Sequence, residues 1–579
     1  MPYEVADEGL RGLAPSPPCM KTRMRPRVLS APLVALALLA QTAGYAQTRE
    51  TLFIGQFLTL DPAHPSAEAL VAANGRIVMV GSRADAERLV PSAAPRVRIR
   101  GVAVPGLADA HIHVTSVGER LARLNLQGLS KAQVLQRVET SARHAAPGEW
   151  IRGGGWDEGF WQPSTFPTAG ELDAVSAGHP VVLDRIDGHS TWINSKVLEL
   201  ARIGRDTPDP SGGRIERDAA HDPTGMLVDN AQNLLEPVLP KATREDQERW
   251  IKIALAQFAR WGLTSVHDAG VDLDTIQIYK SLLARGELTV RVYAMALGEQ
   301  AREHYLASGP EADLGNGMLA VRSFKLFLDG ALGSRGAELS EPYSDAPNDR
   351  GLELTTDADL DRIVRAAMQK GFQVNTHAIG DAAVRRALDA FQRAGVTPEQ
   401  RFRIEHASLM TDEDLPRFAK LGVIASIQPV FVGEYSRWAE DRVGKARVKW
   451  VLRTRDLLEA GAPLASGSDY PDSDSGAPIA ALHCLVTRQS ALGLPPAGWY
   501  AGQRIDVDRA MHMVTVGPAF AAFQEHELGA LTAGRYADFT VLSANPRAVR
   551  PEDLRTLAVR MTVVAGRIVF DGERPGAAP

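Results

Sequence analysis

Two histidines one residue apart, His111 and His113, close the segment VAVPGLADAHIHV. Successive side chains alternate faces on an extended chain, so both imidazoles fall on one side, close enough to chelate a single ion. Comparable groups close later segments: His377 in FQVNTHAIGD, His406 in RFRIEHASLM and Asp469 in PLASGSDYP. VRSFKLFLDG carries Lys325 among apolar neighbours, where an ammonium is expensive. Each residue alone has a plain alternative. HxH pairs are often polar surface, a single core histidine is often just satisfied, and Lys325 could snorkel to water or meet Asp329. Together, four imidazoles and a carboxylate make a nitrogen and oxygen site suited to zinc, with manganese or iron also admissible. A lysine ammonium cannot bind a cation, so Lys325 must change its chemical state to join them.

The elements that would position these groups alternate regularly. Eight apolar segments read as strands, the five above together with LTSVHDAG, LTVRVYAMAL and VIASIQPVF, and amphipathic helices lie between them. DADLDRIVRAAMQKG places Leu360, Ile363, Val364, Ala367 and Met368 on one helical face, and Gly371 ends it. Thr243 and Thr411 are expected N-caps ahead of acidic first turns. This alternation predicts an α/β fold, a (β/α)8 TIM-like barrel over residues 104–515. The first two strands are some 150 residues apart, far more than one crossover helix needs, so an inserted subdomain is expected at about 130–240. Short strand-like segments recur at both chain ends, with Asn74-Gly75 as a hairpin turn. They predict a small β-sandwich made of residues 47–103 and 516–579.

Bulk properties narrow the function. A formal charge of −6 without a basic stripe excludes nucleic acid as an expected partner. KTRMRPRVLSAPLVALALLAQTAGYAQ has the basic, apolar and small-residue order of a secretory signal, so residues 1–46 are expected to be an upstream segment plus signal peptide. Residues before Met20 or Met24 fit an upstream start codon better than a working segment. No later apolar run reaches the ~20 residues of a membrane span, so an exported, periplasmic or secreted protein without a stable membrane anchor is expected. The only cysteines are Cys19, which would leave with the signal, and Cys484. That excludes an intrachain disulfide framework. A homodimer is admissible.

PGLADAHIH, the internal lysine, the histidines closing strands five and six and the aspartate closing strand eight together resemble the metal-dependent amidohydrolase superfamily. LGALTAGRYADFTVL resembles its C-terminal β-segment. LDRIDGHSTWINS and FKLFLDGALGSR are similar to the family-3 branch that contains N-substituted formamide deformylases. The resemblance implies a divalent metal centre, two zinc ions first, with His111 and His113 on one ion and His377 and His406 on the other. It implies that Lys325 is carboxylated and bridges them, and that Asp469 is both ligand and general base. The implied reaction is hydrolysis of a non-peptide carbon–nitrogen bond in a small amide-like molecule. Esterase, lactonase or dipeptidase activity on the same site, or a catalytically silent metal-binding or regulatory protein, are the alternatives.

Weaker signals surround that set. Asp187 and His189 in RIDGHS are expected to face the substrate, with His189 a candidate oxyanion donor; a loop histidine bonded to its own turn is the alternative. Trp156 is a candidate substrate contact, with Trp150, Phe160, Trp161 and Trp192 as further wall or, equally, as the subdomain's own core. Arg335 could hold an anionic group or simply sit at the surface. His267 and Asp268 are expected to orient a ligand from the end of the second strand.

Overall fold

The computed structural model describes residues 50–185 and 189–573. The expected signal segment therefore lies outside the described residues. Eight strands follow one another in parallel: β1 (Leu107–Ile112), β2 (Leu263–Val271), β3 (Arg291–Ala296), β4 (Leu319–Phe327), β5 (Gln373–Ala378), β6 (Arg403–His406), β7 (Ile424–Ile427) and β8 (Leu464–Ser466). These are the eight expected segments in the expected order. Ladder hydrogen bonds join each strand to the next. The seam between β8 and β1 is closed by the chain just beyond β8, where the Ser468 and Asp469 amides donate to the His111 carbonyl at 3.2 and 2.6 Å. Asp109 accepts from the Ser468 and His111 amides as well.

Gly467 is required at that seam. A Cβ there would come within 2.5 Å of the His111 nitrogen and 2.6 Å of its Cβ. Gly467→Ala is therefore expected to cost about 1–3 kcal/mol through overpacking and to displace His111. A lowered melting temperature together with weakened metal binding would show both effects. An unchanged protein would mean that the seam has slack.

Helices cover the barrel. Asp357–Lys370 begins where Thr356 accepts from the Asp359 amide and ends at Gly371, whose φ of 75° suits glycine. It buries Leu360, Ile363, Val364 and Ala367, with Met368 packed at the margin. Thr243 caps Arg244–Trp261 as expected, in a reciprocal box with Asp246. Thr411 departs from expectation. The helix starts later, at Leu415, with Asp414 at its N-cap. Thr411 instead closes the preceding turn, accepting from the Asp414 amide and donating to its carboxylate. No described helix is long and apolar enough to cross a membrane.

Both chain ends build one further sheet, a seven-stranded one. Its order is Arg567–Asp571, Val559–Val564, Phe539–Leu542, Arg96–Pro105, Thr51–Leu58, Ser66–Ala73 and Arg76–Gly81. A bridge between Arg76 and Tyr536 brings its edge back toward Phe539–Leu542, so the sheet curls around Phe53, Phe57 and Phe539. The C-terminal contribution starts at Phe539; residues 516–538 supply the helix Val516–Ala521 and turns. The inserted subdomain carries a six-stranded sheet running from Leu124–Asn125 to Pro223–Asp229. It thus begins a few residues earlier than expected. Cys484 is buried in the helix Pro478–Thr487.

Candidate metal centre

The strand ends bring the expected residues together at one mouth of the barrel. His111 is the penultimate residue of β1 and His113 follows its end, and their rings lie 5.5 Å apart. His406 lies 4.7 Å from the His111 ring and 4.5 Å from His377, centroid to centroid. Asp469 Oδ1 is 3.1 Å from His113 Nε2 and 3.2 Å from His111 Nε2. Lys325 Nζ is 3.3 Å from the same His111 Nε2, and its side chain is only 2% exposed. It therefore does not snorkel out. Nor does it meet Asp329, whose carboxylate accepts the amides of Glu338, Ile379 and Gly380.

Electrostatics and backbone both mark this place. Burial opposes ionisation of Asp469, but His111 and His406 beside it, with hydrogen bonds from His111 and His113, hold its carboxyl well below the usual range. Burial pushes His406 down to about 3 and His377 well below its ordinary value, so both stay neutral, the state that ligates a metal. Lys325 is lowered to about 8, chiefly by burial. His406, Ala407 and Asp469 have φ values of 72°, 43° and 61°, a conformation that costs non-glycine residues energy.

The donor set fits a divalent cation. Ligand atoms of His111, His113 and Asp469 lie within 4.8 Å of one another, and His377 Nε2 is buried without a hydrogen-bond partner. A buried polar atom of that kind calls for an occupant. Behind the cluster stands a layer that reading of the strand ends missed. His111 Nδ1 lies 2.6 Å from Glu405 Oε2, Glu405 Oε1 pairs with Arg403 Nε at 2.7 Å, and Arg403 Nη1 reaches His267 Nδ1 at 2.9 Å. His406 Nδ1 faces Gln428 Oε1 at 2.9 Å. His267 is thus an indirect support, and it lies inside β2 rather than at its end, since β2 runs on to Val271. Asp268 accepts from the Val114 amide and the Tyr279 hydroxyl, which fixes the helix after β1.

A profile of the amidohydrolase family matches residues 101–570. The chain belongs to the amidohydrolase family. It is 32% identical over 541 residues to LONG AFTER FAR-RED 3 of Arabidopsis thaliana, covering 89% of this chain and 90% of that one. It is 26% identical over 561 residues to N-substituted formamide deformylase of Arthrobacter pascens, covering 92% and 100%. Among solved structures, an uncharacterized metal-dependent hydrolase from Pyrococcus horikoshii shares 30% identity and a TM-score of 0.70, over 87% of this chain and 99% of the other. This chain is accordingly a metal-binding hydrolase enzyme on a TIM-like barrel.

The weaker expectations fare differently in this amidohydrolase. Trp156 is not a substrate contact. It is fully buried among Trp161, Trp192 and the aliphatic core of the inserted sheet, and its indole N–H donates to the Leu183 carbonyl. Its bulk stabilises that subdomain. Trp150 packs at the edge of a second cluster there. Arg335 does not present a free fork either, because Asp345 takes it bidentately at 3.0 and 2.8 Å. His189 is exposed and its Nδ1 lies 2.8 Å from Asp229 Oδ1, within the inserted subdomain. Asp187 and the Phe160 side chain lie outside the described residues.

Proposed function

We propose that this chain hydrolyses a non-peptide carbon–nitrogen bond of a small amide-like molecule at the barrel mouth, with Asp469 as the proton acceptor. The observation that carries the reading is Asp469 itself, an ionised carboxylate nine-tenths buried and within 3.2 Å of His111 and His113. His111, His113, His377, His406 and Asp469 would hold two divalent ions, zinc first, with Lys325 between the pairs. When bound, such ions polarise a carbonyl and make water acidic near neutral pH.

The remaining steps belong to the chain's own residues. Asp469 accepts a proton from the attacking water and then delivers it to the departing nitrogen, so its charge is restored at each turnover. Glu405 and Gln428 keep His111 and His406 oriented. Lys325, lowered to about 8 by burial, supplies a neutral amine within reach of physiological pH. Its nitrogen adds to the carbon of carbon dioxide, an N–C bond forms and one proton leaves, giving an anionic carbamate with two oxygens.

The relative from Arthrobacter pascens makes N-substituted formamides the first substrates to try. Purified protein loaded with Zn²⁺ should turn over N-substituted formamides or N-acyl amines, and its activity should fall with metal content. A metal-loaded protein that cleaves aryl esters or lactones and leaves every amide intact would refute the choice of bond.

A further inference from the structure

The histidines of the cluster are backed unequally. His111 Nδ1 faces an anion: Glu405 Oε2 stands 2.6 Å away, and neither side chain has solvent exposure. Arg403 holds that anion, with Nε 2.7 Å from Oε1 and Nη2 3.0 Å from Oε2. Further contacts restrain Arg403: Nη2 donates to the Ala110 carbonyl and the Ser426 hydroxyl, and Nη1 reaches His267 Nδ1. The guanidinium therefore cannot turn away, and Glu405 cannot turn without it. His406, in contrast, is backed by the neutral amide oxygen of Gln428 at 2.9 Å. At His377 a carboxylate oxygen, Asp329 Oδ1, comes no nearer than 3.5 Å and lies toward Nε2, the nitrogen that makes no hydrogen bond, so it does not back the ring as Glu405 backs His111. A carboxylate on one imidazole nitrogen fixes the tautomer and makes the opposite nitrogen a stronger donor; an amide oxygen fixes the tautomer with less charge.

We propose that Glu405 and Arg403 are positioning residues that hold His111 as the Nδ1–H tautomer with Nε2 as its ligand atom, making the His111/His113 half the tighter of two unequal metal positions. The inference rests on the reading of this cluster as a metal centre. Arg403 has its own part in it. A buried carboxylate keeps its charge only when paired, so the guanidinium preserves the acceptor that His111 needs. Glu405 and Arg403 share one face of β6 because they are two residues apart. His406, one residue on and with φ of 72°, leaves that alternation and turns to the mouth. One short strand thus delivers both a ligand and the support of a ligand on the far side of the barrel.

The test is a chelator-competition titration of the metal-free full chain with Zn²⁺, without reference to turnover. Wild-type protein should bind one equivalent more tightly than the next. Glu405→Gln should weaken the first equivalent ~10–100-fold and leave the second nearly unchanged. Because that variant strands the Arg403 charge, Arg403→Met/Glu405→Gln is paired with it; neither buried charge then remains, and the same weakening is expected. Wild-type affinity for the first equivalent in either folded variant would overturn the proposal. The wild-type protein gives a check that needs no variant. A crystal structure at one equivalent of Zn²⁺ should show the ion on His111 Nε2 and His113, and an ion on His377 and His406, or on His111 Nδ1, would overturn it. A wild-type chain that binds no divalent ion at all would sink the metal-centre reading itself, a result distinct from equal binding by the variants.

Discussion

Asp469→Asn is expected to leave a folded protein whose kcat is lower by ~10²–10⁴, the usual contribution of a positioned general base. The fold should survive because Asp469 is tied in through its backbone. Its amide donates to the His111 carbonyl at 2.6 Å, and its φ of 61° is one that asparagine also adopts readily. The side chain keeps its shape and loses two things, its charge and its capacity to take a proton. The first would weaken the hold on a cation that Oδ1 and the two imidazoles, 3.1 and 3.2 Å from it, would share. The second removes the acceptor from the attack. Measuring metal content with kcat separates them: full occupancy with collapsed turnover isolates the proton-transfer role. Full occupancy with near-normal turnover would remove Asp469 from the chemistry.

The parts of this site that could be read from residues alone are those where local geometry decides direction. A strand alternates faces with a period of two, so HxH had to aim both rings one way, and parallel strands in a barrel bring their C-terminal ends to one rim. Three residues failed for a common reason. Whether Trp156 faces a pocket or a core depends on which way the inserted sheet packs, and its neighbours are Trp161, from the turn just after its own strand, and Trp192, from another strand of that sheet. Arg335 is taken by Asp345, ten residues on across a loop, and Thr411 closes a turn whose partner, Asp414, captured the cap. Glu405 and Arg403 were legible in principle. Two opposite charges at alternate positions of the buried strand RIEH can only face inward together. The signal was masked by the histidine that follows them.

Lys325→Met sets two accounts of one residue against each other. If Lys325 merely packs, methionine keeps most of its apolar volume and removes a charge from a site only 2% exposed, so the barrel should be as stable or more so. If Lys325 is carboxylated, the variant leaves two cations facing each other without an anion between them. At least one metal should then be lost and activity should collapse, while the melting temperature of the metal-free protein stays near or above that of wild type. The position of the amine favours the second account. Nζ lies 3.3 Å from His111 Nε2, the nitrogen turned toward the metal cluster, and no carboxylate salt-bridges to it among the described residues. A lysine placed there as an ammonium would repel a cation bound by the surrounding histidines; as a carbamate it would supply the negative charge they lack. Reconstitution of wild type with metal in carbon dioxide-free buffer should mimic the defect. Lys325→Ala with added short carboxylates should restore some activity, because the vacated stem leaves room for an exogenous anion. Lys325→Met protein that binds the full metal complement and turns over normally would refute the bridge and return Lys325 to a packing role.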